Sequence, residues 1–453
     1  MKVIQVPFGF YPDPVGGTEV YVKALSRHLQ EQGIEVLIAA PAETNQTYHY
    51  NQLPVQRFAT SQTTNIRELY GLGDELAALE FDRILEQEQP DIVHLHAFTR
   101  AVSLRLVQAA KQRHIPVVFT YHTPTVSCQR GTLLQWGTQV CDGKINVNTC
   151  ARCTLQGLGM KPIAANVMGS LPLWVGQTLG ALNLQGGIWT AAQMTELMSD
   201  RQTTFHTLME TVNHIVAVCN WVKDVLVRNQ VPPEKITVIR QGLCHDSSPQ
   251  ALNLTPKQPD TNLKLVFLGR LDPTKGIHIL IQAIRSDPQL AVSLDIYGVS
   301  QGGNAYQNEL LALVNDDPRI TFKSPLPSEQ VISTLAEYDL LAVPSQWLET
   351  GPMVILEAFA AGIPVIGSNL GGIAELVQHK INGILVEPES VAAWYQELNK
   401  LSQKVQLAQL QIGINSPLSM HAIATQMLLI YSSIRNAKTL DSANSSTSLK
   451  GYL

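Results

Sequence analysis

Short apolar runs alternate with helix-length amphipathic stretches twice along this chain, and this double alternation most narrows the fold. The first block holds the runs KVIQVPF, EVLIAA, DIVHLH, PVVFTYH, HIVAVCN and KITVIRQG. The second holds LKLVFLGR, VSLDIYG, ITFKSPL, DLLAVPS and PVIGS. Strands that alternate with helices pair in parallel, so each block predicts a doubly wound α/β sheet. A chain of 453 residues is also too long for one ordinary core. The reading gives an N-terminal Rossmann-like domain over 1–242, with an insert at 123–211 that interrupts the alternation. A polar, Pro/Ser-rich linker at 243–262 leads to a second domain over 263–415. A helix over 416–435 is expected to cross back to the first domain, and the Ser/Thr-rich residues 436–453 are expected to be disordered. Two such domains are expected to face each other across a cleft, with binding crevices at the C-terminal ends of their strands.

Composition removes several function classes. Net charge is -5, charged residues make up 15% of the chain, and no Lys/Arg cluster stands out, which argues against a nucleic-acid partner. The N-terminus reads directly as a strand and loop without a long apolar leader, so a cytoplasmic, reducing compartment is expected. Loop chemistry disfavours a dinucleotide cofactor. Gly16 and Gly17 sit between the first strand and its helix, but the loop is longer than G-x-G-x-x-G allows, and the second strand closes on Ala39, Ala40 and Pro41 without an acid.

The segment WLETGPMVILEAFAAGIPVIGSNLGGIAE, Trp347 to Glu375, carries the densest chemistry. Glu349 and Glu357 lie eight positions apart and straddle the start of a predicted helix, with Pro352 at its first position and Gly362 as its stop. The amides of Met353 and Val354 at such a helix start favour an anion. A phosphate held there, with one acid beside it and another deeper, suits a sugar nucleotide. Arg270 and Lys275, in FLGRLDPTKG, follow the first strand of the second domain, where a guanidinium and an ammonium can neutralise a departing diphosphate. No Asp-x-Asp pair is present for magnesium. His96 and His122 end two consecutive strands of the first domain, where an imidazole can hydrogen-bond a hydroxyl or phosphate; His94, deeper on the same strand, reads as structural. Solvated surface cations, a dipole-stabilising carboxylate and satisfied strand histidines are the ordinary alternatives.

Taken together, the early Gly-Gly loop, the strand ending in His122, the GR-x4-KG segment and the E-x7-E element followed by A-x-G-x-P-V-I resemble the retaining glycosyltransferases of family 4, of the GT-B fold. The resemblance spans roughly Met1–His122 and His214–Ser433. It implies that Arg270 and Lys275 hold the donor diphosphate, Glu357 the nucleotide ribose and Glu349 the transferred sugar. It also implies that Gly16 and Gly17 close on the phosphates and that His122 sits near the reacting sugar and acceptor. The implied reaction moves a hexose-type sugar from a nucleotide-diphosphate sugar to an acceptor hydroxyl, with retention, by a metal-independent front-face route that requires no cofactor. One departure from the family pattern is Gly351-Pro352 in place of the usual Phe-Gly; the proline removes one amide from the phosphate nest. A non-catalytic sugar-nucleotide-binding or scaffold subunit, or a GT-B epimerase or phosphorylase, is the alternative.

Two features of the insert stand apart from this pattern. Cys128, Cys141, Cys150 and Cys153 fall within one short segment of a chain with only 6 cysteines, and the last pair forms C-x2-C. Structural zinc, reduced buried thiols and a redox pair are the readings of that cluster. The stretch 162–195 lacks charge from Pro162 onward until Thr195 yet is rich in Leu and Trp. It reads either as helices packed on the domain or as a peripheral membrane contact towards a lipid-linked acceptor.

Overall fold

The computed structural model describes residues 1–63, 65–244, 262–299 and 305–448. The chain divides into two compact units, Met1–Arg240 with Met420–Leu453, and Gln241–Ser419. Each is a Rossmann-like α/β domain, and together they give the GT-B class of fold. Most of the expected linker at 243–262 lies outside the described residues.

The first unit is built on an eight-stranded sheet: β1 (Lys2–Val6), β2 (Glu35–Ala42), β3 (Gln46–Tyr50), β4 (Leu53–Ala59), β5 (Ile92–Leu95), β6 (Val117–Tyr121), β9 (His214–Ala217) and β10 (Ile236–Val238). A separate hairpin, β7 (Leu134–Gln135) and β8 (Gln139–Val140), lies in the insert. The large sheet runs β10-β9-β6-β5-β1-β2-β4-β3 and is parallel except for the β3–β4 hairpin. Val3 is in register with Val36 on one side and Ile92 on the other. Strands covered on both faces need apolar residues throughout, and β6 is buried along its whole length. Phe58, Phe81, Phe119, Tyr121 and Phe205 fill this core. The polar stretch after β2 contains β3 and β4. Edge strand β3, QTYHY, is only half-buried at Tyr48 and Tyr50 and exposed elsewhere.

The second unit has a six-stranded, all-parallel sheet: β11 (Leu263–Arg270), β12 (Val292–Val299), β13 (Ile320–Lys323), β14 (Leu340–Val343), β15 (Val365–Ser368) and β16 (Gly383–Val386), in the order β13-β12-β11-β14-β15-β16. Leu265 and Phe267 point into one apolar layer and Val266 into the other, as strand alternation requires. Successive strands build outward from β11 through β12 to β13, and then resume at β14 on its other side. The sheet therefore has its topological switch between β11 and β14.

The insert is shorter than 123–211. Helix Met194–Thr211 places Phe205, Leu208 and Met209 in the main core and is the crossover joining parallel neighbours β6 and β9. Ahead of it, helices Val147–Gly157, Pro162–Met168 and Gly187–Ala192 share a small core of Ala151, Leu155, Ala165, Ala191, Met194 and Leu197 with Tyr70, while helix Leu173–Ala181 buries Gly176 against Glu196. The uncharged stretch thus packs on its domain through small residues. Its large residues point outward: Ile163 is 82% exposed, Trp174 65% and Leu182 64%. No helix among the described residues is long and apolar enough to cross a membrane.

The last helix, Met420–Ser448, belongs to the first unit. It continues beyond 435 to Ser448, and residues after 448 lie outside those described. It buries Met420, Ile423, Ala424, Met427 and Tyr431, a helical stripe. Helix Gly17–Glu31 ends beside it, with Gln32 Nε2 donating to His421 O at 3.2 Å. Replacing fully buried Met427 with Ala should cost about 2–5 kcal/mol through the cavity it leaves. Urea unfolding of the full chain measures this, and an unmoved midpoint would show that the helix is not part of the first unit's cooperative core.

Candidate functional site

Two adjacent strand ends build the site in the second unit. Arg270 is the last, exposed residue of β11. The chain then makes a short turn, Pro273–Lys275, capped by the Asp272 carboxylate, which accepts from Thr274 N at 2.9 Å. Gly276 follows at φ 69, and a Cβ there would fall 1.9 Å from Pro344 O, so only glycine fits. That close approach brings the loop after β11 onto the loop after β14, and Gln346 N donates to Thr274 O at 2.7 Å.

Here Lys275 and Glu349 meet. Lys275 Nζ lies 2.6 Å from Glu349 Oε1, and the same oxygen accepts from Ser345 Oγ and Trp347 Nε1, each at 2.8 Å. Lys275 also stands 5.7 Å from the centre of the Trp347 ring. Glu349 is 7% exposed. Burial pushes its carboxyl upward, but the Lys275 charge and the bonds from Lys275, Ser345 and Trp347 outweigh that and hold it below its ordinary value. It is therefore an anion at neutral pH. An ammonium carries three N–H donors. One is used on Glu349, and no other protein acceptor for Lys275 is found among the described residues.

Helix Met353–Ala360 follows, one residue later than its sequence suggests, because Pro352 is its N-cap with φ -65 and ψ 119. The stop is as read, with Ala361 as C-cap and Gly362 at φ 73. The amides of Met353 and Val354 open its first turn, where helical amides lack partners within the helix. Glu357 lies on this helix and is 8% exposed. The loop after β15 closes over the same segment, Gly372 N donating to Glu349 O at 2.6 Å.

In the first unit His94, His96 and His122 form a buried chain with three groups that sequence reasoning passed over, Gln5, Thr120 and Tyr431. Gln5 Nε2 donates to Tyr431 Oη at 3.2 Å, so the phenol donates to His94 Nδ1 at 2.6 Å, and His94 Nε2–H donates to Thr120 Oγ1 at 2.6 Å. On the other arm of Gln5, Oε1 accepts from His96 Nε2–H at 2.6 Å, and His96 Nδ1 accepts from His122 Nε2–H at 3.0 Å. Neutral His122 then carries its lone pair on Nδ1. The His96 ring spends both nitrogens inside the protein, so it orients His122 and does not offer itself to a donor. His94 is structural, as expected. Gln5 and Thr120 were legible as polar residues inside apolar strands, which need partners when buried; Tyr431 had no such signal.

Gly16 departs from its expected role. Its amide donates to Glu19 Oε2 at 2.8 Å, so it is engaged in capping helix Gly17–Glu31 and is not open to a phosphate. All four insert cysteines line one pocket, and burial pushes the Cys150 thiol up to about 11. Cys219 is buried at the start of helix Asn220–Arg228.

The histidine chain has a pH consequence. Burial pushes His122 down to about 3, and His94 and His96 well below their ordinary value. Below about pH 6.5 the unfolded chain takes up protons that the native state refuses, so stability falls as pH falls and is unaffected by these groups above that value. Urea midpoints at pH 7 and pH 5 should show this loss, with a smaller loss in His122→Asn. Equal losses in both proteins would remove His122 from the linkage.

Comparison with known proteins matches the two units separately. Residues 15–162 match the family model described as Glycosyltransferase Family 4, and residues 255–411 match Glycosyl transferases group 1. The D-inositol 3-phosphate glycosyltransferase of Corynebacterium efficiens is 29% identical over 234 residues, covering 48% of this chain and 55% of that protein. The chain spans about half the length of that curated relative. Among solved structures, Anabaena Alr3699/HepE in complex with UDP superposes with a TM-score of 0.60 at 19% identity, covering 98% of this chain and 100% of that one. Sucrose-phosphate synthase from Thermosynechococcus elongatus gives a TM-score of 0.63 at 17% identity, covering 96% and 100%. The two family matches thus fall one in each unit, and the solved structures share the GT-B fold.

Proposed function

We propose that the protein transfers a hexose-type sugar from a nucleotide-diphosphate donor to an acceptor hydroxyl, with retained anomeric configuration and without a catalytic metal. The observation that carries this reading is the buried Lys275–Glu349 pair at the switch between β11 and β14. Its spare ammonium donors and ionised carboxylate match the two halves of such a donor. Lys275 and Arg270 take the diphosphate oxygens, and the amides of Met353 and Val354 add backbone donors at a helix start. Glu349 accepts from hydroxyls of the transferred sugar, and Glu357 accepts from the ribose. HepE was solved with UDP, which favours a nucleotide-sugar donor here.

In the proposed step the anomeric carbon–oxygen bond to the diphosphate breaks, and the acceptor oxygen bonds the same face. The acceptor proton passes to the leaving phosphate oxygen. Cations that stabilise the departing charge lower the barrier most where water is excluded. His122, at the end of β6, stands on the acceptor side. The acceptor class is a glycan or a lipid-linked sugar, and the outward Ile163, Trp174 and Leu182 favour screening the lipid-linked class.

The test is release of nucleoside diphosphate from UDP-, GDP- and ADP-sugars in chelator, with water or a mixed acceptor panel. One donor should turn over. Lys275→Ala should lower kcat/KM by about 100-fold or more, as loss of a charge-stabilising donor does. Glu349→Gln should lower it as well, and product NMR should show the donor's own anomer. Donor binding without any turnover would instead identify a sugar-nucleotide-binding subunit.

A further inference from the structure

We propose that Cys128, Cys141, Cys150 and Cys153 ligate one structural zinc ion that ties the insert to the loop following β6. These sulfurs come from three places: the turn after Pro124–Val126, the residue after β8, and one face of helix Val147–Gly157, where Cys150 and Cys153 are three positions apart. All four line a single cavity of about 70 Å³, and all are free of disulfides.

Backbone amides already point at two of the sulfurs. Gly143 N donates to Cys141 Sγ at 3.4 Å and Trp136 N to Cys153 Sγ at 3.3 Å. Amides directed at sulfur stabilise thiolate and orient it, the role that groups around a metal's ligands perform.

Charge is matched as well. Four thiolates around a divalent ion leave two negative charges. Arg130 Nη1 lies 3.8 Å from Cys153 Sγ, and the buried Arg201 guanidinium interacts with Cys128 and Cys150. As placed, no three of these sulfurs lie within 4.8 Å of one another among the described residues. Zinc–sulfur bonds of about 2.3 Å draw them inward, and the unbranched cysteine side chains can reach a shared centre from other staggered rotamers. Each ligating thiol gives its proton to solvent, four per ion. Four thiolates fill a tetrahedral shell, so the ion is structural and takes no part in sugar transfer. Its work is to fix the segment beginning six residues after His122, where Tyr121 Oη also meets Ser127 Oγ at 2.6 Å.

Full-length protein purified under reducing conditions should contain one zinc per chain by elemental analysis. After chelation, added cobalt(II) should give the strong ligand-field bands of a tetrahedral thiolate site. Cys141→Ser and Cys153→Ser should lose the zinc, while Cys219→Ser, Cys244→Ser and His421→Ala keep it. His421 is tested because His28, Glu31 and His421 bring ligand atoms within 4.8 Å of one another. The cobalt spectrum of the unmutated chain decides the matter if a variant fails to fold. Zinc retained in both cysteine variants, iron with sulfide, cysteines paired as disulfides, or a folded chain without stoichiometric zinc would each overturn the proposal.

Discussion

A carboxylate that is ionised and nearly buried has to have a cation, and in the second unit Glu349 has Lys275. Removing two charges from water costs several kcal/mol each, and their attraction offsets that only when geometry and further hydrogen bonds are good. Here three donors converge on one oxygen. The pair exists because β11 and β14 are neighbours in space while β12 and β13 intervene in sequence. Their following loops must meet, and Gly276 lets them approach to the distance the pair requires. A buried pair adds little to stability compared with apolar packing.

The first unit solves a different problem. Three imidazoles inside an apolar sheet would be costly if any nitrogen lacked a partner. Gln5 orders them by presenting an acceptor to His96 and a donor to Tyr431, and this fixes the direction of every proton along the chain. The result is a neutral His122 in a single tautomer. The last helix supplies Tyr431, so the end of the sequence helps to set the chemistry of the first sheet.

Both sheets were legible because strands covered on two faces must be apolar throughout, and their helices must carry period-3.6 stripes. Lys275 and Glu349 were legible because they sit in loops at strand ends, where α/β sheets bind ligands. Edge strand β3 was not, since a short edge strand half-buried only at Tyr48 and Tyr50 leaves little apolar signal. Gly16 misled because glycine before a helix signals an open turn equally well when a side chain such as Glu19 closes it. The hand-over from insert to crossover helix escaped notice because Met194–Thr211 serves two cores, and its apolar residues face both. Tyr431 lies 337 positions from the histidine it meets, and no local pattern announces such a contact.

The most direct test of the account is calorimetric titration of UDP, GDP and ADP into the intact protein and into Lys275→Ala. The account predicts that one nucleotide binds the intact protein and that the variant binds it at least about tenfold more weakly, the loss expected for a charge-assisted hydrogen bond to phosphate. Equal affinity in both proteins would contradict it, because the ammonium beside Glu349 would then have no part in holding a diphosphate.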